Sequence, residues 1–479
     1  MLCVCPTLQS NASDDSLPPA APAKVAVALE GRALMKNVLP AVLVAALGAF
    51  SFGYHLGIVN PALDYLARDL GIAASVQLKG LVVSTVLIGA TIGSLCSGRV
   101  ADDLGRKNAL TAFALPLFLG SVLCSVAPNV TVMLLGRFLA GLGIGAASNL
   151  VPMYIAEISP EKIRGVLVSL NQLAICLGIL VSVVVGLPLA SDPQHWHNMF
   201  LLAAAPAALQ GVLMTVVPES PSWLRRKGRV ADAEAAETAL WGAPATSGAA
   251  ADDGDKSGDK GGGGGSGLGD LFAASNRRQI TIGTTLFFLQ QMTGINAVVY
   301  FSSAMFVAAG VKSAVAASVA VCAMNVFGTV MAGQALDRMG RKPLLSGSFI
   351  GMASGCLVIA ASMAAQGSPL AGAAAVVGTL LYVLSFGLGC GPVPGLLSSE
   401  IFSNKIRGNA MSLCFVVHWV FNFVIGQTFL PVVEVVGAPA VFVGFAAMCL
   451  AGVGFVQAYV LETKGKSLEV IQQEMLALN

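Results

Sequence analysis

Residues 343–399 read PLLSGSFIGMASGCLVIAASMAAQGSPLAGAAAVVGTLLYVLSFGLGCGPVPGLLSS, without a single Asp, Glu, Lys or Arg. A bilayer core takes about 20 apolar residues per helix, so this run is long enough for two crossings. Gln366, Gly367, Ser368 and Pro369 supply the turn between them.

The rest of the chain has the same character. Of 479 residues 11% are charged and 56% hydrophobic, and the mean hydropathy is +0.78. Ordinary globular proteins carry about 25% charged residues, so the composition is that of a membrane protein. Its 54 glycines suit helices whose backbones approach closely in lipid. A net charge of +2 gives a nucleic-acid partner no support. Cys96, Cys124, Cys176, Cys322, Cys356, Cys390, Cys414 and Cys449 fall inside apolar runs and read as small hydrophobes, not as a disulfide framework.

Working outward from 343–399, runs of membrane length, charge-free but for Arg137, lie near 38–61, 80–98, 108–127, 131–152, 165–187, 197–217, 280–304, 313–335, 343–365, 371–395, 409–431 and 438–460. Of the 27 Lys and Arg, 23 fall on one side of this pattern. Arg68, Lys79 and Lys312 fall on the other, and Arg137 sits inside the fourth span. That imbalance puts both termini and the long middle loop on the cytoplasmic side, or its equivalent in an organelle.

The opening stretch is flanked by GQALDRMGRK (333–342) and SEIFSNKIRG (399–408). Both recur in the first half, as GRVADDLGRK (98–107) and AEISPEKIRG (156–165). A duplicated six-helix unit follows: an all-α membrane protein of twelve transmembrane helices in two six-helix halves, with a cytoplasmic helical loop and a substrate site between the halves. The expected divisions are a disordered segment over 1–36, with a weak transit-peptide character, a first half over 37–217, a cytoplasmic loop over 218–278, a second half over 279–461 and a tail over 462–479. Within the loop, Arg225 to Trp241 reads as one short helix and 242–269 as a Gly-rich linker.

No Ser/His/Asp set, metal cluster or nucleotide loop occurs in the spans, so neither an enzyme nor a cofactor is expected. The repeated motifs instead place acids and bases in the same order twice. Asp102, Arg106, Glu157 and Arg164 are matched by Asp337, Arg341, Glu400 and Arg407, with Glu219 and Glu462 after the last span of each half. Such charges either enforce topology or, by tying the halves together, form a breakable cytoplasmic gate.

Further markers are GRFLAGLGIG (136–145), VPMYIAEISPEKIRG (151–165), PESPSWL (218–224), QQMTGINAVVY (290–300), GPVPG (391–395) and LETKGK (461–466). Together and in this order they resemble the sugar porter family of the major facilitator superfamily, from about residue 45 to 470. The resemblance implies a hexose site. A pyranose offers hydroxyls and an apolar face, which call for neutral amides and an aromatic plane. Gln172, Gln290, Gln291, Asn296, Asn325, Trp419 and Asn422 are the matching substrate-binding candidates. Bonding between helices is the competing role for Asn325 and Asn422, and a helix break is expected beside Gly294. His55, Arg137, Tyr300 and His418 make up the coupling or pore set. For Tyr300 an outer-side gate and an interfacial or core aromatic are both open.

The chain also departs from the family. Proton-coupled members carry an aspartate after FGY in span 1, opposite the arginine of span 4, whereas this chain reads Phe52, Gly53, Tyr54, His55. The family's Trp after GPVP is Gly395, its Arg in PESPSWL is Ser222, and the Pro before Glu462 is Leu461. FGYH with GPVPG resembles the plastidic glucose transporter branch. The expectation is therefore a monomeric hexose facilitator working by alternating access in a lipid bilayer, with glucose as substrate and the plastid envelope or the plasma membrane as location. A proton symporter using His55 and a non-transporting sugar sensor are the alternatives.

Overall fold

The computed structural model describes residues 23–160, 163–242, 273, 276–365, 368–403, 406–466 and 468–477; side chains at 23–35 and at a few single positions, Asp337 among them, lie outside the description. Among the described residues all regular structure is helical. The first six crossings are α1 (Ala23–Gly57), α3 (Val76–Leu104), α4 (Arg106–Ser125), α5 (Val130–Ile158), α6 (Arg164–Val185) and α7 (His195–Leu213), with a short outer helix α2 (Val59–Asp69) after the first. Two cytoplasmic helices follow, α8 (Pro221–Arg226) and α9 (Val230–Trp241). The second half comprises α10 (Arg277–Met292) with α11 (Ile295–Ala308), α12 (Ala314–Met339), α13 (Arg341–Ala364), α14 (Ala371–Ser385) with α15 (Val393–Ile401), α16 (Arg407–Val436) and α17 (Ala438–Tyr459), and α18 (Leu468–Ala477) lies beyond them. Among the described residues, ten helical segments are long and apolar enough to cross a membrane. The remaining crossings of the twelve are α7 and the interrupted pair α10–α11.

Small residues set the helix spacing. A Cβ added to Gly145 of α5 would lie 1.9 Å from the Ala90 carbonyl of α3, and one on Gly53 of α1 would lie 1.9 Å from the Ile175 carbonyl of α6. Lipid gives apolar side chains no reason to prefer one another, so backbone approach of this kind carries the association. The eight described cysteines are free, and all but Cys96 are buried.

Several expectations need correction. The backbone is helical from Ala23, so the disorder expected over 1–36 does not extend over 23–36; residues 1–22 lie outside the described residues, as do 243–272, which hold nearly all of the expected glycine linker. The helix expected from Arg225 to Trp241 is two helices, because Gly228 turns the chain at φ +74°. The second of them is pinned by Arg225, which bonds both carboxylate oxygens of Glu237 at 2.8 Å, and by Trp241 Nε1, which donates to the Ile158 carbonyl. Helix α2 was not anticipated, since its mixed composition carries no membrane signal.

Candidate functional site

Two spans of the second half are broken. Between α10 and α11 the chain passes Gly294 at φ +90°, where a Cβ would sit 2.4 Å from the Phe445 ring. Between α14 and α15 a single wide turn over Phe386–Cys390 leads to Pro392. Breaks inside a membrane free backbone carbonyls that lipid cannot satisfy. Gln290 Nε2 takes up two of them, donating to the Cys390 carbonyl at 2.7 Å and the Gly391 carbonyl at 3.1 Å.

The neighbouring amides form one buried set. Gln291 Nε2 donates to His418 Nδ1 at 2.8 Å, its Oε1 accepts from Asn296 Nδ2, and Tyr300 Oη donates to Asn422 Oδ1 at 2.9 Å. Gln290, Gln291, Asn296, Tyr300, His418 and Asn422 are thus gathered where span 7 meets span 11, and Tyr300 is a buried residue rather than an interfacial one. Much of their capacity is used on one another, the interhelical role foreseen as the competitor. What stays unsatisfied in this set is Asn422 Nδ2, buried without a partner among the described residues. A buried donor left unmade costs roughly 1–3 kcal/mol, and a ring hydroxyl would answer it. Gln172 itself makes only a weak contact, 3.6 Å, to Cys176 Sγ. Asn325 is buried and outside this bonded set.

Trp419 is not placed to stack on a ligand in this conformation. It is fully buried, its Nε1 donates to Ser94 Oγ in the opposite half at 2.9 Å, and its ring meets Phe52 at 5.3 Å and His418 at 4.9 Å. It acts as a seam between the halves. At Gly395 a Cβ would meet nothing within 4 Å, so the position where the family carries an aromatic is open space.

Arg137 is wholly buried. Its guanidinium donates to three backbone carbonyls, those of Val82 (3.1 Å), His55 (3.0 Å) and Val83 (3.3 Å), and among the described residues no carboxylate pairs with it. His55 Nε2 lies 2.9 Å from Ser121 Oγ, whose own proton goes to the Leu117 carbonyl. The hydroxyl can then only accept, so the ring proton sits on Nε2, and Nδ1 is left buried and without a partner.

On the side away from the cytoplasm the halves are bonded together. Asn60 of α2 donates from Nδ2 to the Val299 carbonyl (2.6 Å) and to Ser302 Oγ (2.7 Å), and its Oδ1 accepts from the Ser303 amide (3.2 Å). Ser84 donates to Gln427 Oε1 at 2.8 Å. Neither pair was foreseen, although an uncharged polar residue at the end of a span was the available signal.

At the cytoplasmic face, ion pairs between described residues stay within each half, which corrects the expected cross-half ties for this conformation. Arg106 pairs with Glu157 (3.0 Å) and Asp102 (3.0 Å), and Arg341 with Glu400 (2.8 Å). Arg164 is exposed, and Arg407 donates to the Phe402 carbonyl rather than to Glu400. Reach explains this, since the arginines of the GRK turns lie against the ends of their own half's spans. Glu219 accepts from the amides of Arg106 and Lys107 at the start of α4, and Glu462 from those of Arg341 and Lys342 at the start of α13, where the helix dipole favours an anion. Burial pushes the Glu219 carboxyl above its ordinary range despite these donors. At Glu462 burial also pushes upward, but the amides of Arg341, Lys464, Lys342 and Thr463 outweigh it and hold the group below that range. The side chain of Asp337 lies outside the described residues.

Residues 41–475 match the family model "Sugar (and other) transporter". The chain is 48% identical over 437 residues to plastidic glucose transporter 4 of Arabidopsis thaliana, covering 91% of this chain and 80% of that one. Among solved structures, the xylose transporter XylE from E. coli in an inward-open conformation matches with a TM-score of 0.77 at 28% identity, covering 91% of this chain and 99% of that one. The proton:xylose symporter XylE bound to 6-bromo-6-deoxy-D-glucose matches with a TM-score of 0.73 at 28% identity, covering 92% and 99%. An outer face bonded shut, cytoplasmic ion pairs confined to each half and buried amides with unfilled capacity at the seam are what a carrier opening toward the cytoplasm requires, and this chain belongs to the sugar transporter family of the major facilitator superfamily.

Proposed function

We propose that this transporter is a hexose facilitator, with glucose as substrate, working as a monomer by alternating access in the plastid envelope. Similarity to plastidic glucose transporter 4 supports the substrate and the membrane. The observation that carries the mechanism is the surroundings of Arg137. Proton coupling needs a group whose charge changes with conformation and is sensed by a partner. Here the arginine bonds only backbone carbonyls. Protonating His55 would add a second positive charge beside it rather than free it, so transport should equilibrate sugar without accumulating it.

Purified protein in liposomes with an inward proton gradient and no sugar gradient tests this. No overshoot above equilibrium is expected, and uptake should be unchanged by an uncoupler. An overshoot abolished by uncoupler defeats the reading. One observation favours symport as a second reading: Nδ1 of His55 is buried without a partner and could take a proton. In that case His55→Ala abolishes the overshoot.

A further inference from the structure

The two copies of the charged motif are filled differently. In the first half Arg106 is 3% exposed, engaged by Glu157, Asp102 and the Ala101 carbonyl, and Arg226 of α8 brings a second cation to Glu157 at 3.4 Å. In the second half Arg341 is 18% exposed. Beside it opens a cavity of about 220 Å³ whose walls include Arg341, Glu400, Arg407, Thr463, Lys466 and Ile471. Three cations and one carboxylate line it. The carboxylate is already engaged, by Arg341 at 2.8 Å and by Thr463 Oγ1.

Arg407 has capacity left over. Its Nη2 donates to the Phe402 carbonyl at 3.2 Å, but among the described residues nothing accepts from its buried Nε. Lys466 also lines the cavity, and its Nζ is 2.7 Å from Glu474 on α18. A water's share of liquid is about 30 Å³, so the space exceeds what one or two waters fill. A guanidinium whose Nε lacks an acceptor, with an ammonium lining the same cavity, suits a tetrahedral dianion, because the planar fork bonds two of its oxygens at once.

We propose that this cavity binds a phosphoryl group, presented as inorganic phosphate or as the phosphomonoester of a sugar, held by the Arg407 fork and Lys466 Nζ. Arg407 opens α16, the span that carries His418, Trp419 and Asn422, whereas Lys466 and Ile471 belong to the segment after the last span. A bound phosphoryl group therefore ties that segment to span 11 and slows the change of access. This consequence rests on the alternating-access reading; the site does not.

The test uses the full chain in detergent at neutral pH, with thermal unfolding followed against inorganic phosphate, glucose 6-phosphate or chloride at constant ionic strength. Saturable stabilisation by the first two and none by chloride is expected. The titration midpoint should rise about tenfold in Arg407→Lys, which keeps the charge and loses the fork, and in Lys466→Ala, but not in Arg229→Ala on the loop surface. A lower midpoint for glucose 6-phosphate than for phosphate identifies the ester as ligand, and equal midpoints identify the phosphoryl group alone. Absence of saturable stabilisation, or midpoints unchanged in both cavity variants, overturns the site. In liposomes hexose uptake should fall as the site fills. Full uptake with the site saturated overturns the regulatory consequence only, so it is distinguishable from failure of the transport reading.

Discussion

Removing the Asn60 side chain should open the outer face. Three hydrogen bonds cross from that one amide to α11, at 2.6, 2.7 and 3.2 Å, and all three must break for span 7 to part from the first half. A net hydrogen bond stabilises by about 0.5–1.5 kcal/mol. Two of the partners, the Val299 carbonyl and the Ser303 amide, keep a place in their own helix ladder, which argues for the lower part of the summed range, about 1.5–2.8 kcal/mol. Since 1.4 kcal/mol is tenfold, Asn60→Ala should shift the equilibrium toward the outward-open state by roughly ten- to a hundredfold. Ala297 is fully buried in α11 and serves as a reporter once changed to cysteine. A membrane-impermeant maleimide applied to the non-cytoplasmic face should label Ala297→Cys at least ten times faster when Asn60→Ala is added. Asp64→Ala, on the same helix but exposed and paired with Lys79, should change nothing. Labelling rates within twofold of one another in the presence and absence of Asn60 would refute the reasoning, since the bonds would then not be what holds the face shut.

Gly105→Ala should destabilise the protein by about 2–4 kcal/mol, through a backbone conformation unsuited to other residues and displacement of Glu219, because φ there is +95° and a Cβ would lie 2.2 Å from Glu219 Oε2. Gly98→Ala, where a Cβ meets nothing within 4 Å, should melt like the wild type in detergent. Gln291→Ala strips His418 and Asn296 of a partner as well as removing an amide from the seam, so apparent hexose affinity in liposomes should weaken about tenfold or more; wild-type affinity in correctly inserted protein counts against the site. The two capping carboxylates should answer pH in opposite senses. Glu462, held low in the folded protein, contributes stability that is present above the ordinary carboxylate value and lost as pH falls through its folded value. Glu219, pushed up, contributes stability that is present below the ordinary value and lost as pH rises through its folded value. Melting curves of Glu462→Gln and Glu219→Gln against wild type across the acidic range should diverge accordingly.

Sequence alone determined whatever depends on solvent and on repetition. Charge-free runs can be stable only as membrane helices, Lys and Arg record which side each loop occupies, and two copies of GRK and of KIRG require two like halves. Resemblance to the family, joined to the need of a pyranose for neutral amides, nominated Gln290, Gln291, Asn296 and Asn422 and marked the missing carboxylate at His55. Only the tertiary structure decided which partner each polar group takes. Asp102, Glu157 and Glu219 all converge on Arg106 and its helix start from three separate segments, whereas sequence order shows only that like charges recur in both halves. Trp419 looked like a sugar platform until Ser94, over 300 residues away in the chain, took its indole proton. Nothing in the linear sequence marks a partner for Asn60, and only the fold sets it against α11. Hydropathy is a property of each residue and survives in the linear text. A hydrogen bond belongs to two residues, and where both lie in lipid the distance between them along the chain says nothing about whether they meet.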